Sequence, residues 1–418
     1  MNPSDDGCAT WLRSLRSARG RRSRDGHLAE GVTSPQSLPC AAWRCVWETH
    51  AGHVPSTPAF PQGALARPCR PVWHNVGIIP TNRRLRRSAP HPPTRGSGPW
   101  PGPCRCSMTA MEAEFLAWLA ERLGPSQRSP VGLRDDAAVL DVGGSEPLVI
   151  TTDLITDGVH FRLDRDDPRQ IGHKALAVNL SDVAAMAARP LCAFVSLLVP
   201  ARRGLELAQE LYEGLLPLAE RFGVEVAGGD TNTWSGPLVV NVALIGQATE
   251  RGPLRRDGAK PGDQLLVTGC FGGSLGGHHL DFVPRVTEAL TLHRDFRLHA
   301  GVDCSDGLSL DVSRICAASG CGALNEAAEV PIRPAAVALA ADASDGCSAL
   351  EHALSDGEDF ELILAVPPDD AARIVRHNSL EVPLTRIGEF VAEPGLWQLA
   401  GGERRRLIPC GYEHGIDR

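Results

Sequence analysis

The sequence predicts a mixed α/β (α+β) fold in two domains. Hydrophobic residues make up 43% of the 418-residue chain, which supports a sizeable core at a length that suggests more than one domain. Predicted strands alternate with predicted helices in both halves, a pattern typical of α/β proteins. A charged link at 250–263 containing glycine and proline separates the halves. We therefore expect one α/β domain at 108–248 and a second at 249–418.

Residues 1–107 differ from the rest of the chain in charge. They hold 15 arginines, no lysine and 5 acidic residues, a net charge of +10, whereas the remaining residues carry −18. No apolar run in the sequence is long enough to span a bilayer, and none near residue 1 resembles a signal peptide. We expect an extension that is disordered, or a start assigned upstream of Met108. A transit peptide or nucleic-acid-binding arm is the weaker alternative, so neither nucleic acid nor membrane is expected as a partner.

The elements of each half follow from apolar spacing and from breakers. A helix at 112–123 is predicted to end at Gly124-Pro125, and a helix at 168–188 is predicted to end before Pro190. The other expected elements of the first half are a helix at 205–222 and strands at 148–152, 193–199, 224–227 and 238–246. Strands at 264–268 and 360–366 and a helix at 308–318 are expected in the second half. A turn at Gly228-Gly229 is expected after the strand at 224–227.

Acidic residues recur beside the predicted strand ends. Asp153 directly follows the strand at 148–152, and Asp182 shares a helix face with Asn179. The whole set is Asp136, Asp153, Asp182, Asp230, Asp303 and Asp306, to which Thr151 and Thr152 add hydroxyl groups. Any one of these residues could be a helix cap or turn residue. Together, however, like charges are costly to gather and to bury. Because Mg²⁺ prefers oxygen ligands and bridges phosphates, the set predicts a metal-dependent enzyme that handles phosphate.

Three other functions have weaker support. No G-x-x-x-x-G-K-[ST] stretch exists, and the only lysines are Lys174 and Lys260, which excludes a Walker-type ATP site. Residues 272–276 match the nucleophile-elbow pattern G-x-S-x-G, so a serine hydrolase using Ser274 is an alternative. Residues 164–167 resemble the start of an EF-hand loop but lack its later glycine and glutamate, which disfavours a calcium-binding protein.

The seven cysteines after residue 107 are scattered. None forms a C-x-x-C pair, which argues against a zinc site. Their mostly apolar settings predict reduced thiols in a cytoplasmic protein.

Motifs across residues 110–415 resemble those of thiamine-monophosphate kinases. In chain order they lie at 135–138, 151–153, 158–161, 174–182, 228–231, 258–263, 305–308, 357–362 and 411–414. The resemblance implies the two-domain fold of aminoimidazole ribonucleotide synthetase and a homodimer whose strands pair across the subunits. It also implies that ATP and Mg²⁺ are used to phosphorylate thiamine monophosphate to thiamine diphosphate. Another ATP-dependent member of the same superfamily, acting on a different acceptor, is the alternative.

The resemblance also assigns residues to three roles. Those implied to hold several Mg²⁺ ions are Asp136, Thr151, Thr152, Asp153, Asp182, Asp230, Asp303 and Asp306. Those implied to contact ATP are Gly229, Asp230, Arg256 and Ser305, and those implied to line the thiamine-phosphate pocket are His160, Glu358 and Tyr412. No residue is assigned as a general base. Four features depart from the family pattern: Arg134 stands where the family has glycine, the segment 276–303 is shorter, Gly415 stands where an aromatic residue follows His414, and residues 1–107 have no counterpart.

Overall fold

The computed structural model of the chain describes residues 111–123, 126–133, 135–144, 146–342 and 345–413. The expectations for the extension at 1–107, for Arg134, for His414 and for Gly415 fall on residues outside the described ones.

The first half of the described chain builds a five-stranded sheet. Its strands are β1 (Ala138–Leu140), β2 (Leu148–Thr156), β3 (Arg189–Pro200), β4 (Glu225–Trp234) and β5 (Val239–Gln247). They lie in the order β1-β2-β5-β3-β4, with β4 parallel to β3 and the other neighbours antiparallel. Every second residue of β5 is buried, which is the period-two pattern of a strand with one face on a core.

Two long helices cover one face of this sheet. The helices of the first half are α1 (Met111–Leu123), α2 (Pro168–Ala185) and α3 (Gly204–Phe222). The side chain of Asp167 caps α2 by accepting the backbone N–H of Arg169 at 2.9 Å. Helices α2 and α3 approach closely at two glycines: a Cβ atom on Gly172 would lie 1.8 Å from the Leu211 carbonyl oxygen, and one on Gly214 would lie 1.7 Å from that of Arg169. Any larger residue at these positions would push the helices apart.

The second half builds a seven-stranded sheet. Its strands are β6 (Gln264–Thr268), β7 (Ala300–Asp303), β8 (Gly322–Glu326), β9 (Leu362–Val366), β10 (Leu384–Val391), β11 (Gly395–Ala400) and β12 (Glu403–Arg406), in the order β12-β11-β8-β10-β6-β9-β7. Its helices are α4 (His278–Asp281), α5 (Val286–Asp295), α6 (Leu308–Ser319), α7 (Pro334–Asp342), α8 (Ala349–Ser355) and α9 (Pro368–Arg376). The segment at 276–303 holds α4, α5 and the whole of β7.

Helix α2 joins the two halves. It packs against β2 and β5 of the first sheet and against α4, α5 and β7 of the second half. Most of its residues are buried, including the polar residues Lys174, Asn179 and Ser181. Because buried polar groups must be paired, these three side chains have to find partners in neighbouring elements.

The mixed α/β architecture with two sheets confirms the predicted fold class, but four predicted boundaries are wrong. Strand β3 begins at Arg189, four residues before the predicted start. Strand β2 runs to Thr156 because β5 pairs with it along its full length, so Asp153 lies inside the strand rather than at its end. Strand β4 continues through Gly228-Gly229 to Trp234, paired with β3, where a turn was predicted. Helix α2 ends at Ala185, before Pro190, because Ala187 has a left-handed φ of 48° and Arg189 already belongs to β3.

Two further expectations concern membranes and thiols. Among the described residues, no helix is long and apolar enough to cross a bilayer. Six of the seven cysteines after residue 107 form no disulfide, namely Cys192, Cys270, Cys304, Cys316, Cys321 and Cys410. Cys347 is disulfide-bonded, so the prediction of reduced thiols is wrong at this position.

Candidate active site

Strand β2 and helix α2 hold Asp153 and Asp182 side by side. The hydroxyl group of Thr151 donates a hydrogen bond to Asp182 Oδ2 at 2.5 Å. The side chain of Asn179, fully buried, accepts the backbone N–H of Asp153 at 3.2 Å and donates to the carbonyl of Ala175 at 3.0 Å. Asn179 therefore fixes the position of the strand that carries Asp153, and Thr151 fixes the carboxylate of Asp182.

Asp182 also belongs to a group of three carboxylates that come from separate parts of the chain. Asp136, Asp182 and Asp303 each place an oxygen within 4.8 Å of the other two. Ser181, which sequence analysis missed, donates its hydroxyl group to Asp303 at 2.5 Å. Asp136 Oδ2 is buried without a hydrogen-bond partner. We refer to Asp136, Asp182 and Asp303 as the acidic cluster; its oxygens form a donor set that suits a hard divalent cation.

Burial perturbs the carboxyl groups of this region. Desolvation, joined by neighbouring acids, raises the pKa of Asp153 to about 6. Desolvation first, and then the nearby carboxylates, raise the pKa of Asp182 and of Asp303 well above the usual range. Such shifts show that the folded protein disfavours this concentration of negative charge by itself. A bound cation would supply the missing positive charge.

Two arginines offset part of the negative charge. The guanidinium of Arg256 pairs with Asp136, and its Nε lies 3.7 Å from an oxygen of Asp135. Arg314, on α6, contacts Asp306 at 2.6 Å and Asp311 at 2.6 Å. Both arginines lie beside the loops that carry the acidic residues, so they hold those loops in place. Within the described part of the chain, the carboxylates of Asp182 and Asp303 have no basic partner.

A cavity of about 1260 Å³ opens beside the acidic cluster. Its walls come from α1, the segment at 126–138, strand β2 and the end of α6, and they include Asp136, Thr151 and Thr152. Ligand pockets commonly measure about 300–1,000 Å³, so this cavity has room for a nucleoside triphosphate. Sequence analysis predicted α1 as a helix but did not place it, or the loop after it, at the site, because neither carries a recognisable motif.

A second polar group is centred on Lys174. Its side chain is fully buried; the Nζ atom donates to the carbonyl of His160 at 2.8 Å and pairs with the carboxylate of Glu358. The ring of His160 accepts the backbone N–H of Thr156 at its Nδ1 atom, 3.1 Å away. His160 and Glu358 were both expected in the substrate pocket, and Lys174 links them. The available signal was that one of only two lysines in the chain directly precedes an apolar run at 175–178.

The loop that carries Glu358 is strained and tied to the loop after β7. Glu358 and Phe360 have φ values of 56° and 50°, a left-handed conformation that is uncommon outside glycine and concentrates at functional sites. The backbone N–H of Glu358 donates to the carbonyl of Ser305 at 2.6 Å, and that of Tyr412 donates to the carbonyl of Asp306 at 2.8 Å. These backbone hydrogen bonds bring the segments of Ser305, Glu358 and Tyr412 together.

Within this single chain, Asp230 and Gly229 lie far from the acidic cluster. Asp230 is exposed on β4, an edge strand. It pairs in register with Ser196 on β3, Ser196 with Asn241 on β5, and Asn241 with Leu154 on β2. Three strand spacings correspond to about 14 Å. The fold of the single chain therefore does not bring Asp230 to the acidic cluster, with which it was grouped in the sequence analysis.

Ser274 does not have the surroundings of a nucleophile. It is fully buried, its hydroxyl group donates to Asp359, and it accepts from Arg333 at 2.7 Å. The ring of His279 bonds to the carbonyl of Ser274 at 2.9 Å rather than to its hydroxyl group. Among the described residues no base contacts the hydroxyl group in the way a serine hydrolase requires, so that alternative is wrong.

Two family models match this chain. They are the AIR synthase related protein, N-terminal domain, at residues 134–248, and the AIR synthase related protein, C-terminal domain, at residues 277–396. The thiamine-monophosphate kinase of Rhodopirellula baltica is 45% identical over 313 residues, which cover 73% of this chain and 98% of that relative.

Solved structures agree with these matches. AaThiL complexed with AMPPCP and TMP is 26% identical, with a TM-score of 0.63, and the similarity covers 73% of this chain and 97% of that one. Thiamine-monophosphate kinase from Stenotrophomonas maltophilia K279a is 34% identical, with a TM-score of 0.55, covering 71% of this chain and 97% of that one. With relatives this similar along nearly their whole length, the chain belongs to the thiamine-monophosphate kinase family and has the fold of the AIR synthase related proteins.

Proposed function

We propose that this chain transfers the γ-phosphate of ATP to thiamine monophosphate, giving thiamine diphosphate and ADP. The observation that carries the proposal is the convergence of Asp136, Asp182 and Asp303 beside a cavity of nucleotide size, in a chain 45% identical to a thiamine-monophosphate kinase. A carboxylate cluster repels a polyphosphate unless cations lie between them. Nucleotide binding and cation binding therefore depend on the same residues.

Mg²⁺ ions are the cations that we propose for this site. The proposed ligands are Asp136, Thr151, Thr152, Asp153, Asp182, Asp303 and Asp306, with Asp230 added as described below. The buried, unpartnered oxygen of Asp136 and the raised pKa of Asp182 and of Asp303 support the assignment. When bound, Mg²⁺ would screen the repulsion between the two phosphate-bearing substrates and stabilise the charge on the departing ADP.

The chain's own residues bind and orient ATP in this proposal. Arg256, whose Nε atom is buried without a hydrogen-bond partner, is assigned to the ATP phosphates, because a guanidinium binds phosphate oxygens with paired hydrogen bonds. Ser305 and Gly229 are assigned to the nucleotide as well. Gly229 also allows β3 and β4 to pack closely, since a Cβ atom there would lie 1.7 Å from the carbonyl oxygen of Val195.

His160, Glu358 and Tyr412 are assigned to the thiamine phosphate. Lys174 connects the loop of His160 to the carboxylate of Glu358, so it holds two parts of this pocket at a fixed separation. The acceptor is a phosphate monoester with a second pKa of about 6, so it is largely ionised at neutral pH. No general base is required, and alignment of the two substrates supports direct in-line transfer without a phosphorylated protein.

A homodimer is part of the proposal, because it would bring Asp230 to the site. Strand β1 pairs with β2 only over Leu148–Ile150, so in the described chain Thr151–Thr156 have no strand on that side. Strand β4 also has a free edge. Half-exposed or exposed apolar residues, including Leu154 and Phe194, line the sheet face opposite α2. Pairing of β4 from each subunit with β2 of the other would close the two sheets around this face and bring Asp230 to the β2 edge that carries Thr152.

Mixing two inactive variants tests this arrangement. Asp230→Asn and Asp182→Asn chains, dissociated and reassembled together, should recover about a quarter of the parental activity, because half of the dimers are mixed and each mixed dimer holds one intact site. If Asp230 served its own subunit, no combination would restore activity, and the shared-site proposal would be wrong.

The domain limits and the location remain proposals. Strand β5 ends at Gln247 and β6 begins at Gln264, which supports a division between 108–248 and 249–418. The six cysteines that form no disulfide support a reducing, cytoplasmic setting.

Product analysis tests the reaction itself. The full chain would be incubated with ATP and thiamine monophosphate, with Mg²⁺ or with EDTA, and thiamine diphosphate would be followed by chromatography. We expect product only when Mg²⁺ is present. Parallel reactions with selenide or formylglycinamidine ribonucleotide identify the alternative acceptors: ADP release with one of these, and none with thiamine monophosphate, would overturn the proposed substrate.

A further inference from the structure

The end of helix α6 brings two free thiols together. Gly320, with a φ of 68°, ends the helix, and the backbone N–H of Cys321 donates to the carbonyl of Cys316 at 3.1 Å. This is the Schellman arrangement, in which the residue after the left-handed position contacts the side chain three places before the helix cap. Here both contacting side chains are cysteines, and their thiols are free and buried.

These thiols interact directly and lie on a cavity of their own. Their mutual hydrogen bond raises the pKa of Cys316 and lowers that of Cys321, so Cys321 is the better nucleophile of the two. Both line a cavity of about 340 Å³, together with Arg406 and Leu407. Disulfides join residues whose Cα atoms lie about 4.4–6.8 Å apart, a separation that the hydrogen-bonded turn between these residues favours.

The same helical turn reaches the nucleotide cavity. Ala317 lines both cavities. Ser319 accepts the backbone N–H of Ala259 at 3.1 Å and donates to the carbonyl of Arg256 at 2.9 Å. Arg256 in turn pairs with Asp136 of the acidic cluster. A change in the turn at 316–321 would therefore act on a residue assigned to ATP.

We propose that Cys316 and Cys321 form a modification site for small anionic disulfides of the glutathione type, and that closing a Cys316–Cys321 disulfide weakens ATP binding. The thiolate of Cys321 attacks one sulfur of the disulfide and releases one thiol. The thiol of Cys316 then loses its proton, attacks the sulfur of Cys321 and releases the second thiol. Two protein thiols are oxidised to one disulfide, and one small disulfide is reduced to two thiols. Arg406 provides a positive charge beside the cavity for an anionic reagent.

Mass spectrometry of the folded full chain tests the modification. After exposure to oxidised glutathione and alkylation of the remaining thiols, digestion with trypsin and a glutamate-specific protease releases residues 315–326, whose only cysteines are Cys316 and Cys321. We expect this fragment to be lighter than its reduced form by two hydrogen atoms and free of alkyl groups, and dithiothreitol should reverse the change. A fragment that stays fully alkylated, or that carries glutathione alone, would overturn the proposal.

Nucleotide binding tests the coupling to Arg256, independently of any activity toward thiamine monophosphate. Calorimetry with Mg²⁺ and a non-hydrolysable ATP analogue should show affinity lower by on the order of fivefold in the oxidised chain. Cys316→Ser and the double variant Cys316→Ala, Cys321→Ala should be insensitive to the oxidant, whereas Cys192→Ser, a thiol on β3, should respond as the parent does. Unchanged affinity in a chain shown to hold the disulfide would sink the coupling. The modification test does not rest on the proposed kinase function.

Discussion

The acidic cluster and the Lys174 pair are both buried polar regions, yet they are balanced in opposite ways. In the acidic cluster, Asp182 and Asp303 have no basic partner among the described residues, and burial raises their pKa. Around Lys174, the buried ammonium group pairs with Glu358 and donates to a backbone carbonyl. The first region has more negative than positive charge, because Arg256 pairs with Asp136 alone among the three carboxylates, whereas in the second region the two charges balance. This difference indicates that the acidic cluster binds a ligand, whereas the Lys174 pair stabilises the pocket.

Removing a carboxylate from the acidic cluster should have the largest effect on activity. We expect Asp182→Asn to lower kcat by at least about a thousandfold, because the cation stabilises transition-state charge by several kcal/mol. Thermal unfolding in EDTA should show equal or higher stability, since one repelling charge is gone. Asp164→Asn, at an exposed carboxylate, is the matched control and should leave both unchanged. Unfolding of the Asp182 variant would indicate a structural role instead.

Removing the charge of Lys174 should lower the free energy of unfolding. Lys174→Met leaves Glu358 without its partner, and breaking a buried pair costs about 3 kcal/mol or more. Urea unfolding should show this loss, with a higher KM for thiamine monophosphate as the pocket loosens. Lys260→Met, at the chain's other and exposed lysine, should unfold as the parent does. Equal stability of both variants would show that the Lys174 pair contributes nothing.

Removing the hydroxyl group of Ser181, beside the acidic cluster, should have an intermediate effect on Mg²⁺ affinity. Its hydroxyl group orients the carboxylate of Asp303, and loss of such an orienting partner commonly lowers metal affinity by about tenfold. We expect Ser181→Ala to need about tenfold more Mg²⁺ for half-maximal activity, with little change in kcat at saturation. Ser313→Ala, at a hydroxyl group bonded only to the backbone of α6 among the described residues, should not shift the requirement. An unaltered Mg²⁺ dependence in Ser181→Ala would remove Ser181 from the site.

The smallest expected effect is on pH dependence near the Lys174 pair. Burial, and then the charge of Lys174, lower the pKa of His279, while Glu358 and Asp166 oppose the shift. The unfolded chain therefore takes up a proton just below pH 6.5 that the folded chain does not, so stability present above that pH is lost as the pH falls. Unfolding measured between pH 7.5 and 5.5 should show a smaller loss in His279→Asn, which can still donate to Ser274, than in the parent or in the exposed-site control His377→Asn. Identical slopes would contradict the assignment.

Three of the acidic residues grouped from the sequence, Asp136, Asp182 and Asp303, converge in the structure, but their arrangement could not be predicted. Asp182 and Asp303 could be found because motifs and strand spacing are local patterns. The pairing of Lys174 with Glu358 could not be predicted, because the two lie 184 positions apart. Helical periodicity predicts which residues share a face of a helix but not which distant residue contacts that face. Asp230 was grouped with the acidic cluster, although sheet order places it on an edge strand three strands away. Pairing between remote strands is set by the whole fold, which no short stretch encodes.

Direct titration with Mg²⁺ tests the central claim, that the unbalanced acidic cluster is a cation site. Isothermal calorimetry would compare the parent, Asp303→Asn and Lys174→Met, each with a non-hydrolysable ATP analogue present. We predict saturable Mg²⁺ binding by the parent and by any folded Lys174→Met, and a loss of at least one binding event in Asp303→Asn. Equal binding by the parent and Asp303→Asn would contradict the claim and leave the acidic cluster without its proposed role.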